Sequence, residues 1–101
     1  MHYMLYCLDK PGQGGLRATH RPAHLEYLNR HAPKIAAAGP LLSDDGNAML
    51  GSLLIFEVTT RKEVEDFAAG DPYAKAGLFQ SVTITPRETF IRAVYIALRR
   101  R

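Results

Sequence analysis

The chain has 101 residues, enough for one compact domain and too few for two, so residues 1–101 are predicted to form a single domain. Hydrophobic residues make up 47% and charged residues 23%, which excludes a disordered or fibrous chain. The formal net charge of +3 is matched by the three C-terminal arginines alone, and no aromatic residues are interleaved with them. We therefore expect no binding to nucleic acid.

A single cysteine, Cys7, excludes an internal disulfide framework and is typical of a reducing cytoplasm. No secretory signal is indicated, because the first apolar stretch meets Asp9 and Lys10 at once and has no basic region before it. No apolar run approaches the ~20 residues that a membrane span requires. The sequence thus predicts a cytoplasmic protein with no membrane association.

The chain begins with a predicted strand, "HYMLYCLD" at residues 2–9, which is ended by the strong breakers in "DKPGQGG". Its apolar residues hardly alternate with polar ones, and this favours a strand that is buried on both faces. Within this strand, Cys7 is interpreted as a small buried hydrophobic residue.

A long helix is predicted next, within the segment of residues 16–39. Apolar residues recur there at helical spacing: Leu25, Leu28, Ala32, Ile35 and Ala36. Thr19 can cap its start, which places Pro22 in the first turn, where proline is tolerated. Pro33 removes an interior donor and should kink or restart the helix, and Gly39 would close it.

The second half of the chain alternates between turn signals and apolar runs. The stretch "GPLLSDDGNAMLGSLLIFEVT" has two apolar runs around a turn cluster and predicts a hairpin. "TTRKEVEDFAAG" predicts a helix with a threonine cap, and its inward stripe is Val64, Phe67 and Ala68. "DPYAKAGLF" predicts a short helical turn, and "QSVTITP" predicts a half-buried strand. The tail "ETFIRAVYIALRRR" has apolar residues at helical spacing, although its β-branched residues also permit an extended form.

The order strand, helix, strand, strand, helix, strand predicts an α+β protein with a ferredoxin-like βαββαβ fold and an antiparallel sheet. Two helices can cover only one face of that sheet. Strands as apolar as "YMLYCL" and "LLIFEV" would leave an exposed apolar surface on the second face, so a partner must bury it. We therefore expect a homodimer that packs sheet to sheet.

Two polar residues stand out as candidates for chemistry. His24 falls beside Leu25 and Leu28 on the flank of the predicted helix stripe, where a histidine is half-buried yet reachable by a small molecule. His20 and His24 have the four-residue spacing of helical metal ligands, but no third or fourth ligand stands beside them, so we expect no metal and no cofactor. Asp71 precedes Pro72 as a helix cap would.

Three segments carry a family resemblance: "RPAHLEYL", "AAAGPLLSDDG" and "DPYAKAGLFQSVTITP". In this order they resemble the YciI-like (YCII-related) family of small bacterial proteins, from about Tyr3 to Pro86. The resemblance implies a dimeric α+β barrel built on the ferredoxin-like fold. It also implies a domain core of about residues 2–87, a C-terminal extension at residues 88–101, and a histidine–aspartate pair in a cleft.

The resemblance identifies the histidine as His24 and the aspartate as Asp71. In that interpretation Asp71 accepts a hydrogen bond from one imidazole nitrogen and leaves the other as a base. The alternative is structural: Asp71 caps the short helix and His24 only packs. Arg21, three residues before His24, is predicted to bind an anionic substrate group, with a solvated or interface position as the alternative.

Three further residues are weighed for the same cleft. Tyr73 and Tyr27 are candidates for its lining, or else core residues with a wet hydroxyl. Ser81 as a nucleophile paired with His24 is the weakest of these hypotheses, because it lies in an ordinary strand pattern.

Three functions remain open at this point. The first is a small enzyme that performs general acid–base chemistry on a small anionic, cyclic or aromatic metabolite, as the lactone isomerases and ring dehydrochlorinases among related barrels imply. The second is a non-catalytic ligand-binding or accessory dimer with a structural His24–Asp71 pair. The third, from haem-binding relatives of the barrel, is a histidine as an axial haem ligand. Fold alone does not choose among them, because function lies in the site.

Overall fold

A computed structural model describes residues 1–88 of the chain. Four strands and three helices follow one another there. In chain order they are β1 (His2–Asp9), α1 (Gly14–Arg30), β2 (Ile35–Leu42), β3 (Met49–Glu57), α2 (Arg61–Gly70), α3 (Pro72–Lys75) and β4 (Phe79–Arg87). The strands form one antiparallel sheet in the order β2-β3-β1-β4. The predicted ferredoxin-like α+β fold is confirmed; the predicted C-terminal extension lies outside the described residues, apart from Glu88.

The first helix ends earlier than its sequence predicts. α1 stops at Arg30, a single 3₁₀ turn follows at Ala32–Lys34, and Ile35 begins β2. The predicted helix through Ile35 to Gly39 is therefore wrong. Pro33 lies in the 3₁₀ turn, where it breaks the helical hydrogen-bond series, and the alanine-rich stretch after it gains backbone hydrogen bonds by pairing with β3.

The same helix also begins earlier than predicted. Its N-cap position is Gln13, whose side chain makes no capping hydrogen bond, so the start predicted from a Thr19 cap is wrong by more than one turn. Thr19 lies inside α1 and donates its hydroxyl proton to the Gly15 carbonyl, 2.9 Å away. Pro22 consequently lies in the helix interior, not in the first turn.

Burial along β1 alternates instead of covering both faces. Tyr3, Leu5 and Cys7 are buried, whereas the residues between them are half-buried and Leu8 is 36% exposed. The prediction of a strand buried on both faces is wrong for the single chain. The buried side packs against α2 through Val64 and Phe67, as predicted for that helix, and the burial of Cys7 is confirmed.

The opposite side of the sheet carries no helix among the described residues, and we call it the open face. Register places five apolar side chains at its centre: Met4, Tyr6, Leu41, Leu53 and Ile55. A shallow groove of about 210 Å³ runs along part of it beside β2. Among residues 1–88, no helix is long and apolar enough to cross a membrane.

Candidate active site

α1 carries its functional residues along one side. Arg17, Arg21, His24 and Leu28 are spaced by four, three and four residues, so they lie above one another on one helix face. The two fully buried residues of this helix are polar, not apolar: Arg17 is 4% exposed and His24 is 6% exposed. A helix that buries an arginine and a histidine needs partners for both, because unpaired polar groups are costly to bury.

Asp71 is held at the start of α3 by a local turn. Its backbone is extended, Pro72 occupies the first helical position, and the Asp71 Oδ1 accepts the Tyr73 backbone N–H at 2.9 Å. Gly77, with a φ of 76°, ends the helix in the left-handed conformation that favours glycine. The predicted capping role of Asp71 is therefore present in the structure.

The same Asp71 oxygen reaches His24. Nδ1 of His24 lies 2.9 Å from Oδ1 of Asp71, and both side chains are buried. A carboxylate can only accept, so the imidazole donates from Nδ1, and in the neutral ring Nε2 then carries the free lone pair. Both contacts expected of Asp71 are present, since one oxygen caps α3 and also lies within hydrogen-bonding distance of the histidine.

Nε2 of His24 remains available. Within the described part of the chain, the ring makes no hydrogen bond through this nitrogen, and no fully buried side-chain nitrogen or oxygen is left without a partner. Nε2 therefore retains accessible surface, and the ring lines a cavity. The geometry presents a potential proton acceptor to that space.

Tyr73 fixes the plane of the imidazole. The two rings stack with centroids 4.0 Å apart and planes inclined by 17°. Burial raises the pKa of Tyr73 above its ordinary value, although the charges of Arg17 and Arg21 oppose the rise. The Tyr73 phenol therefore stays neutral and packs as a platform for His24.

Arg17 is the buried cation of the site. Its Nε and Nη2 donate to the two carboxylate oxygens of Asp9 at 2.7 and 2.9 Å, and Nη2 also donates to the Ser52 hydroxyl at 2.9 Å. Burial alone would lower the pKa of Arg17, but the hydrogen bonds and charge of Asp9 outweigh it and the pKa is raised. Its guanidinium carbon lies 4.5 Å from the Tyr73 ring centroid.

This network was not found from the sequence. No sequence pattern singles out Arg17, and Asp9 stands only at the end of a predicted strand. The available signal was the seven-residue spacing between Arg17 and His24, which is two helical turns. That spacing puts the arginine on the same face as the histidine, where solvent exposure is not expected.

These side chains surround a cavity of about 240 Å³ between α1 and the sheet. Its polar lining consists of Arg17, Arg21, His24, Ser52 and Tyr73. Arg21 is exposed and contributes from the rim, whereas Tyr27 is not part of the lining and donates instead to the Phe67 carbonyl at 2.8 Å. Ser81 pairs with Leu8 on the open face, away from His24, so the predicted nucleophile pair is wrong.

No group of three or more histidine, cysteine, aspartate or glutamate side chains is arranged to hold a metal ion among the described residues. His20 is half-buried and does not join His24 in the cavity lining. His24 instead uses Nδ1 for Asp71. The chemistry that this arrangement supports is proton transfer by an oriented imidazole.

The fold and the buried histidine–aspartate contact define a small ferredoxin-like α+β protein with a cavity beneath its first helix. The chain belongs to the YCII-related domain family, whose profile matches residues 1–88. It is 31% identical over 93 residues to Protein YciI of Escherichia coli O6:H1. The match covers 85% of this chain and 95% of that protein. A Haemophilus influenzae protein is 30% identical over the same shares of both chains.

A solved structure is also similar over most of the chain. It is 5-chloro-2-hydroxyhydroquinone dehydrochlorinase (TftG) of Burkholderia phenoliruptrix AC1100, in complex with 2,5-dihydroxybenzoquinone. The two chains are 34% identical with a TM-score of 0.82, and the match covers 91% of this chain and 98% of that one. The similarity therefore extends to sequence as well as fold.

Cys7 is buried and lies outside the cavity lining, so it is poorly placed to act as a nucleophile there. Burial raises the pKa of its thiol to about 12, with the Asp71 carboxylate adding to the rise and Arg17 opposing it. At pH 8, about one thiol in ten thousand would be ionised, against about a quarter for an ordinary cysteine. We expect iodoacetamide to alkylate the native protein at least about a thousandfold more slowly than the urea-unfolded chain. Comparable rates in the two states would contradict this environment.

Proposed function

We propose that this protein is an enzyme that performs general acid–base chemistry on a small anionic ring compound. His24 is the base, and Asp71 orients it and fixes its tautomer. The observation that carries the proposal is the buried 2.9 Å contact between His24 Nδ1 and Asp71 Oδ1, which leaves Nε2 available at a cavity wall. General bases of this kind typically contribute about 10²- to 10⁴-fold to a rate.

The size of the cavity supports a single-ring substrate. Its volume of about 240 Å³ is below the ~300–1,000 Å³ of sites for drug-sized ligands. The apolar part of the lining, which includes Leu25, Leu28 and Leu54, suits the faces of a ring. Polar groups at the wall suit its oxygens, as in most small-molecule sites.

The charges at the wall support an anionic form of that ring. Asp9 compensates the charge of Arg17, so Arg17 contributes mainly as a fixed hydrogen-bonding group. Arg21 is exposed at the rim and makes no ion pair with any residue in the described range. We assign Arg21 to the developing oxyanion and Tyr73 to holding the imidazole plane.

The similarity to the dehydrochlorinase supports a hydroxylated ring as substrate class. One base suffices for such a reaction. His24 takes a proton from a ring hydroxyl and returns it to the ring carbon that bears the leaving group. It then takes a second hydroxyl proton as the leaving group departs with its bonding electrons, so that the ring loses one proton and one chloride overall. Each step uses the same Nε2, with Asp71 stabilising the imidazolium between them.

We also propose that the protein is a homodimer joined through the open face. Five apolar side chains at the centre of that face have no helix over them in the described chain. A shallow groove beside β2 makes this face uneven. A second copy would bring the same apolar surface to it, as expected for a twofold interface.

The dimer predicts a mass of about twice 11.2 kDa in light scattering at micromolar concentration. Leu53→Glu places a charge at the centre of the open face and should give monomers, because burying an unpaired carboxylate in the interface is costly. Val82→Glu is the matched control, since Val82 is exposed on the other side of the sheet. A monomeric parent protein, or a dimeric Leu53→Glu, would refute this interface.

The catalytic assignment predicts that His24→Gln slows turnover of a hydroxylated ring by about 100-fold or more. The first compound to assay is 5-chloro-2-hydroxyhydroquinone, followed by chloride release and ring absorbance. Asp71→Asn should also slow turnover, because the amide can present its NH₂ to Nδ1 and favour the wrong tautomer.

His20→Gln is the matched control, because it makes the same replacement one turn earlier on α1 and outside the cavity. It should retain the parent rate. Circular dichroism and thermal unfolding of all variants separate lost chemistry from lost fold. Equal rates for the parent and a folded His24→Gln variant would show that His24 is not the base.

A further inference from the structure

A second and larger cavity adjoins the proposed active site. It encloses about 790 Å³ at the end of the sheet, between the loop after β1, the first turns of α1 and the start of β3. The two cavities share three lining residues: Arg17, Arg21 and Met49. The two cavities are therefore neighbours on either side of these side chains, and we call the larger one the outer cleft.

The outer cleft is electropositive. Three basic side chains and one acidic side chain line it, a net charge of +2: Lys10, Arg17, Arg21 and Asp9. Asp9 is fully engaged by Arg17, so its charge does not offset the other two cations. Neither Lys10 nor Arg21 makes an ion pair among residues 1–88. Two uncompensated cations at the wall of a cleft favour an anionic occupant.

Lys10 distinguishes the outer cleft from the inner cavity. It lines only the outer cleft, whereas Arg21 lies at the junction. The root of its side chain is fixed, because the Lys10 backbone N–H donates to the Leu78 carbonyl at 2.9 Å. Leu8, Met49 and Leu50 add apolar wall nearby, which suits a short hydrocarbon chain.

From this we infer that the substrate is a ring with an acyclic anionic side chain, whose terminal carboxylate-type group binds Lys10 in the outer cleft while the ring lies at His24. This inference rests on the proposed function, since it assigns the ring to the inner cavity. It adds a specificity subsite that the acid–base chemistry does not itself require. Lys10 is a specificity-determining residue and takes no part in proton transfer.

The test uses two probes that differ only in charge: 3-(2,5-dihydroxyphenyl)propanoate and its neutral amide. Hydroquinone, the ring without a side chain, is the third probe. Affinities are measured by NMR titration of the ¹⁵N-labelled protein. We expect the propanoate to bind about fivefold more tightly than the amide, as one accessible ion pair allows. The difference should fall as salt is raised.

Lys10→Met should abolish the difference between propanoate and amide and leave hydroquinone affinity unchanged. Lys75→Met is the matched control, because it removes the same charge from an exposed position outside both cavities and should preserve the difference. Equal affinities for propanoate and amide in the parent protein, or a preference that survives Lys10→Met, would overturn the subsite.

The hydroquinone titration keeps the two proposals apart. If hydroquinone shifts the NMR signals of residues around His24 but the propanoate binds no more tightly than its amide, only the Lys10 subsite is refuted. Absence of binding by all three probes contradicts the ring site at His24, and the side-chain subsite is refuted with it.

Discussion

One carboxylate oxygen connects the two elements that form the candidate site. Oδ1 of Asp71 accepts the Tyr73 N–H of its own helix and lies 2.9 Å from His24 Nδ1 on α1, across a gap of 47 residues in sequence. The first contact sets the position of the carboxylate, because an N-terminal cap holds its side chain over the helix end. The second transfers that position to the imidazole. Tyr73, fixed by the same cap, then stacks on the ring and fixes its plane.

Two buried polar contacts lie beneath α1: the first is an ion pair, and the second is the hydrogen bond of a histidine to a carboxylate. Arg17 with Asp9 and His24 with Asp71 both join this helix to another element. A buried ion pair such as Arg17–Asp9 contributes little net stability over an apolar core, yet removing one partner leaves a buried charge and costs about 3–5 kcal/mol. Arg17 and His24 both line the cavity, so each contact fixes a side chain at its wall, and under the proposed function the second fixes the base.

Much of the fold follows from local chemistry that the sequence makes visible. Three local features depend on neighbouring residues alone: the turn "SDDGN", the threonine cap with Glu63 at α2, and the Asp71–Pro72 start of α3. The end of α1 was mispredicted because alanine favours helices, whereas Ile35–Leu42 is decided by pairing with β3. Pairing across the sheet is a long-range contact, and helical periodicity in the sequence contains no information about it.

The site shows the same division between local and long-range information. Helical spacing put His24 at the edge of a buried stripe, but it gave no indication of what faces it; the family resemblance supplied Asp71. Arg17 was missed because its partners, Asp9 and Ser52, come from two strands. Sequence patterns predict that an arginine is exposed unless its counter-ion is known, because charged residues are rarely buried without a partner.

The tautomer of His24 tests the central claim most directly. Nitrogen-15 chemical shifts of the imidazole, recorded at about pH 9 where histidines are ordinarily neutral, distinguish a protonated ring nitrogen from a bare one. We expect a proton on Nδ1, donated to Asp71, and a bare Nε2 that can accept a proton from substrate. A neutral ring protonated on Nε2 would contradict it, because Asp71 would then not orient a base.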